Sequence, residues 1–185
     1  KIRPDIFLSL DFQYLVDKDI NNTRLDYAYF FRIEYLYHYI QGRSEIKIMK
    51  ALQLIKTQEF QIVDIPSPVI QDSRDVLIKI KSVGICGSDV HYFKNGKIGE
   101  QVVTFPAVIG HEAAGIVEET GSDVTSVQPG DLVVIEPSVS CYSCDQCLAG
   151  RPHTCRNNMF LGSPGQLSGA LAEYVVLPER NCFSV

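Results

Sequence analysis

A mainly β fold, a barrel or a sandwich, is what the larger part of this sequence predicts, and three observations lead there. Apolar and polar residues alternate in VLIKIKSVGI (76–85), the period of a half-buried strand. β-branched runs follow turn chemistry, as where Pro-Gly-Asp leads into LVVI in PGDLVVI (129–135). From residue 49 onward glycine and proline punctuate the chain, and little helical periodicity is seen between them.

The elements follow in order. Residues 1–48 differ in texture: they hold six of the nine tyrosines, one glycine (Gly42) and one proline (Pro4). Within them RLDYAYFFRIEYLYHYI (24–40) spaces its aromatics for a helix, while EYLYHYI also alternates as a strand would. This stretch is too aromatic for low-complexity disorder, and it reads as an N-terminal extension foreign to the main fold. Met49 is the first methionine, and MKALQLIKTQEFQIVDIPSP reads as the start of a domain covering 49–185. Strands are expected at 76–85, in AGIVEET (114–120), in PGDLVVI and in LAEYVVLP (171–178), with a loop at GSDVTSVQPGD (121–131). No internal repeat is present.

Bulk properties narrow the function classes. With 185 residues, 45% of them hydrophobic, the chain can bury one real core. A formal charge of -5 argues against a nucleic-acid or anionic-membrane surface. No apolar run approaches the roughly eighteen residues needed to span a bilayer, and KIRPDIFLSLDFQ makes a poor signal peptide. A soluble, cytoplasmic protein is expected, and in a reducing compartment clustered cysteines point to metal before disulfides.

Cys141, Cys144, Cys147 and Cys155 follow C-x2-C-x2-C-x7-C. Four thiolates complete the tetrahedral shell of Zn²⁺ and leave no position for water or substrate, so such a site holds structure. A [4Fe–4S] cluster and disulfides are the alternatives. The seven-residue gap, and Arg156 where the short iron–sulfur pattern has proline, favour zinc. A second constellation lies upstream. GICGSDVHYF (84–93) carries Cys86, Ser88 and His91, and FPAVIGHEAAG (105–115) carries His111 and Glu112. One thiolate, one imidazole and one carboxylate would leave room for a water, the composition of an open catalytic zinc site. Each residue also has a plainer reading: a buried cysteine, a hydrogen-bonded histidine, a solvated glutamate.

Taken in order, GICGSDVHYF, GHEAAGIVEETGSDV, PGDLVVIEP and CYSCDQCLAGRPHTC resemble the zinc-dependent medium-chain alcohol dehydrogenases over residues 49–185. VHYFKNGKIGEQVV (90–103) is closest to the polyol branch, which includes sorbitol (L-iditol) and xylitol dehydrogenases. The resemblance implies a GroES-like β-barrel with a zinc-binding lobe and a few short helices, followed in full-length enzymes by a Rossmann domain that binds NAD or NADP. It implies two Zn²⁺: a catalytic ion on Cys86, His111 and Glu112, and a structural ion on the four clustered cysteines. Ser88 matches the hydroxyl that meets the alcohol, and His91 the histidine that relays its proton. The implied reaction oxidises a small alcohol or polyol, with hydride passing to the nicotinamide, in an enzyme that is a homo-oligomer at full length.

Tyr92 and Phe160 are candidates to line the substrate pocket or simply to pack the core. His38, His153, Cys182, Glu136 and Glu173 are read as surface or packing residues. The chain contains no G-x-G-x-x-G and no βαβ series, so the Rossmann domain is absent from it. The expectation is the N-terminal catalytic domain of a longer dehydrogenase, incomplete and inactive alone, with a non-catalytic structural zinc module as the alternative.

Overall fold

The computed structural model describes residues 47–185. The expectations for residues 1–46, including the extension and His38, lie outside the described residues. Among the described residues twelve strands, two α-helices and two single-turn 3-10 helices follow one another. The first six strands are β1 (Ile48–Lys56), β2 (Glu59–Pro66), β3 (Asp75–Gly84), then after helix α1 (Gly87–Asn95), β4 (Lys97–Ile98), β5 (Gln101–Val102) and β6 (Ala107–Val108). Next come β7 (Glu112–Thr120), β8 (Leu132–Ile135) and β9 (Ser138–Val139), helix α2 (Asp145–Leu148), and β10 (Met159–Phe160), β11 (Tyr174–Pro178) and β12 (Cys182–Ser184).

Two antiparallel sheets carry the fold. The larger has the order β11-β3-β7-β8-β12, and the smaller β2-β1-β6. Residues 171–173, expected to open the last long strand, instead join the sheets. Leu52 N donates to Leu171 O at 2.8 Å, Glu173 N to Lys50 O at 3.0 Å, and Ile80 N to Glu173 O at 2.9 Å. The backbone groups of this segment are thus divided between β1 and β3, and β11 proper starts only at Tyr174. Glu173 is exposed, as expected, and its carboxylate also accepts the Lys50 N–H at 2.7 Å.

Alternation decides which side of each strand is buried. On β3, Val76 and Ile78 are wholly buried; on β8, Val133 and Ile135 face inward while Leu132 and Val134 face out. These residues meet Val117, Leu161, Val175, Leu177 and Cys182 in the main core. Burial pushes the Cys182 thiol up to about 12, so it serves there as a small apolar side chain. A second cluster, Leu54, Tyr92, Val103 and Ile109, packs α1 against β1 and the chain that leads to β6. Among the described residues no helix is long and apolar enough to cross a membrane.

Candidate metal centres

The segment after β3 turns directly into α1, and the turn is made by a candidate ligand. Cys86 is the N-cap: its sulfur accepts the Ser88 N–H at 3.3 Å, and Asp89 reaches back to accept the Cys86 N–H at 3.0 Å. This is a capping box with sulfur in the usual place of a hydroxyl. Its effect is to fix Cys86 at the first turn of α1.

His111 arrives from the other side, just before β7. Gly110 precedes it with φ of 94°, and Gly162 packs so tightly there that a Cβ on it would lie 2.6 Å from Gly110 O. That backbone crossing aims the imidazole at Cys86: Nε2 lies 3.3 Å from the Cys86 sulfur. Ser88 Oγ is 2.8 Å from the same sulfur. The edge of Phe160 stands against the His111 ring, with centroids 5.4 Å apart.

Cys86, Asp89 and His111 place their ligand atoms within 4.8 Å of one another. Asp89 was not anticipated from the sequence, although its spacing from Cys86 is the capping-box spacing. It is buried, and its Oδ1 lies 4.0 Å from His111 Nδ1 with no hydrogen-bond partner. Glu112 is not in this group of three. It is exposed, and its carboxylate lies over Gly84, where a Cβ would come 2.6 Å from Oε2. His91 is exposed on α1, one turn beyond Ser88, with Asn95 Nδ2 3.4 Å from its Nδ1.

Beside the cysteine and histidine opens a cavity of about 430 Å³. Ser88, His111, Tyr92 and Phe160 line it, so both aromatic candidates reach the site. Tyr92 is also part of the second core cluster, and its hydroxyl donates to Gln101 Oε1 at 3.1 Å. Gln101, Asn158, Ser163 and Gln166 complete the polar wall. Nothing in the sequence marked these four, because isolated polar residues outside long elements have no periodic signature.

The four clustered cysteines converge on one point, all sulfurs within 4.8 Å of one another. Cys155 Sγ lies 3.4 Å from Cys141 Sγ and 3.9 Å from Cys144 Sγ. A zinc tetrahedron with sulfurs at about 2.3 Å spaces them by roughly 3.8 Å, so the set fits that ion. Without a cation the four cannot all ionise. Ser143 beside Cys141 draws that thiol down to about 5, whereas withdrawal from water pushes Cys147 up to about 12. Arg156 braces the lobe by a two-pronged pairing to Asp145 at 2.6 and 2.9 Å. His153, on the exposed surface of the lobe, takes no part. The upstream pair fits the ion as well. Zinc held by one sulfur and one ring nitrogen separates them by roughly 3.6 Å, near the spacing observed.

Residues 72–185 match the family model described as the alcohol dehydrogenase GroES-like domain. The chain belongs to this family. The domain's curated relatives include D-xylulose reductase A of Aspergillus niger, 44% identical over 122 residues, which are 66% of this chain and 34% of that protein. Among solved structures, galactitol-1-phosphate dehydrogenase from Escherichia coli aligns with a TM-score of 0.66 and 31% identity, over 74% of this chain and 38% of that one. An E. coli protein described as a short chain alcohol dehydrogenase, solved with NADH, aligns with a TM-score of 0.64 and 32% identity, over 75% and 38%. The GroES-like chain thus spans about a third of the length of the curated relative it matches.

Proposed function

We propose that residues 49–185 form the metal- and alcohol-binding part of a zinc-dependent polyol or secondary-alcohol dehydrogenase that uses NAD or NADP. The observation that carries this reading is the pairing of Cys86 with His111 at 3.3 Å beside an open cavity that His111 and Ser88 line. A closed structural site needs no such cavity; a reacting one does. The family, and relatives named D-xylulose reductase and galactitol-1-phosphate dehydrogenase, support the reaction type.

Cys86 and His111 would hold the catalytic Zn²⁺, with Glu112 as the further ligand; for that role its carboxylate must swing off Gly84 toward His111. Bound there, the ion would supply Lewis-acid polarisation of the substrate oxygen. Ser88, whose hydroxyl opens on the cavity, would accept the substrate's hydroxyl proton. His91 follows one helical turn later, exposed to solvent, suited to pass that proton outward because an imidazole has one nitrogen that accepts and one that donates. Asp89 would hold His111 from its Nδ1 side, as carboxylates do behind metal-bound histidines. Cys141, Cys144, Cys147 and Cys155 would hold the second, structural Zn²⁺. The nicotinamide cofactor, the homo-oligomer and a cytoplasmic location belong to this reading of the whole enzyme.

Metal counting tests it. The chain reconstituted with zinc and freed of excess should carry two ions, and Cys86→Ala should carry one while keeping its far-UV circular dichroism. A single ion in the parent chain would reduce it to a structural zinc module.

A further inference from the structure

We infer that the four-cysteine lobe acts on the Cys86–His111 centre: through β10 it seats Phe160 against His111, so a cation in the lobe raises the affinity of that centre for its own. This rests on the two-metal reading proposed above and adds a coupling between the sites, with Phe160 as its positioning residue.

The lobe has no core of its own. No residue from Cys141 to Met159 is buried. Its helices are the four-residue α2 and the single 3-10 turn Pro152–Thr154, too short to persist alone. The convergence of four sulfurs is what orders it, and for such a segment metal binding is folding.

The two strands at its base are held differently. β9 is fixed from the barrel: the buried Asn181 donates from Nδ2 to Glu136 O and Ser138 O at 2.8 and 2.9 Å. The neighbouring Arg180 guanidinium lies 4.0 Å from the ring centre of Tyr142, where the lobe begins. β10 is held on β9 by two residue pairs, Met159 with Val139 and Phe160 with Ser138, and by Ser138 Oγ donating to Asn158 Oδ1 at 2.9 Å. So short a ladder is marginal in water. Leu161 beyond it is buried, with its N–H on Pro137 O at 3.0 Å, so the freedom of β10 lies on its lobe side.

Residues 140–158 join the two strands. With the sulfurs gathered on one ion, only Ser140 and residues 156–158 stay outside the ring. Drawing a loop of roughly twenty residues down to about five links favours its closure, and with it the seating of β10, by about eight-fold.

What β10 carries is the contact on His111. Among the described residues the imidazole nitrogens make one hydrogen-bond contact, to the Cys86 sulfur. Asp89 Oδ1 stands farther off, at 4.0 Å. The orientation of the ring therefore depends on packing, and the edge of Phe160, at an interplanar angle of 61°, supplies it. With that edge withdrawn the imidazole gains rotational freedom, which it must surrender again when Nε2 takes a cation. Whatever seats Phe160 thus raises the affinity of the centre, and the coupling is reciprocal.

The test measures zinc affinity at the Cys86–His111 site by competition with a chromophoric chelator, in chains whose four-cysteine site stays loaded. Four glycines inserted between Arg156 and Asn157 keep every ligand and lengthen only the tie; affinity should fall about two- to three-fold. Phe160→Leu should lower it at least as much, while Phe160→Tyr, which keeps the ring edge, should bind zinc as the parent does. Combined with Phe160→Leu, the insertion should cost nothing further, because the path it slackens ends at that ring. If the insertion variant fails to fold, Cys144→Ser/Cys147→Ser opens the lobe instead, with an expected fall of about eight-fold. An affinity unchanged in the folded insertion or double-serine variant or in Phe160→Leu, or losses that multiply when insertion and Phe160→Leu are combined, overturns the inference and leaves the dehydrogenase reading standing. A parent chain that binds a single ion overturns both.

Discussion

Asp89 shows what one side chain contributes to this site and what the sequence could not say of it. Cys86, Ser88 and His111 were legible as candidates, because thiol, hydroxyl and imidazole next to glycines are conspicuous. Their convergence was legible only by resemblance, since 25 residues separate Cys86 from His111. Asp89 has no such prominence; it gains a role only when α1 forms and turns it inward, 3% exposed, between the Cys86 backbone and the His111 ring. Glu112 illustrates the converse. It follows His111 in extended chain, where neighbouring side chains face opposite ways, and the carboxylate expected beside the imidazole lies instead over Gly84. Replacing Asp89 by Ala removes both the cap and the support behind His111. Zinc affinity at the Cys86 site should then fall about 10- to 100-fold, read by competition with a chromophoric chelator, while the four-cysteine ion stays bound.

At the scale of elements, the long strands could be read from alternation and the short helix could not. α1 buries only Asp89 and Tyr92, so it offers no apolar stripe, and GICGSDVHYF reads from sequence as the end of a strand. Its capping pair, Cys86 and Asp89, was the one local signal. Register was equally hidden: β3 and β7 pair with slips between Leu77 and Ile78 and between Ile80 and Ser82. Opposite the second slip lies Gly115, where a Cβ would fall 2.4 Å from Lys79 O. That is backbone, which cannot give way as a flexible side chain would. Gly115→Ala should therefore force β7 off β3 and cost about 1–3 kcal/mol. Urea denaturation of the zinc-loaded protein would show it as a lowered midpoint with little change in slope.

Across the whole molecule, the two sheets and the loops between them are held by a few long-range polar contacts that no local pattern announces. Glu179 is the clearest, standing between β11 and β12. Its carboxylate accepts the Thr125 N–H at 3.0 Å and both the N–H and hydroxyl of Ser126, at 3.3 and 3.1 Å, tying the 121–126 loop to the far end of the chain. The Thr125 N–H is the main reason its pKa is held below the usual 4.5, with the Ser126 groups and Arg74 adding to it. A carboxyl whose folded pKa is depressed binds protons more readily in the unfolded chain. Its contribution is complete above the unfolded value and is lost as pH falls through the folded one. Glu179→Gln should thus be less stable than the parent at neutral pH, and the gap between the two should close below about pH 4. Acid also strips zinc from thiolates, but it does so in both proteins, so the difference between their urea midpoints isolates Glu179. A gap of constant size from pH 7 to pH 3 would mean that the carboxylate's charge contributes nothing to this tie.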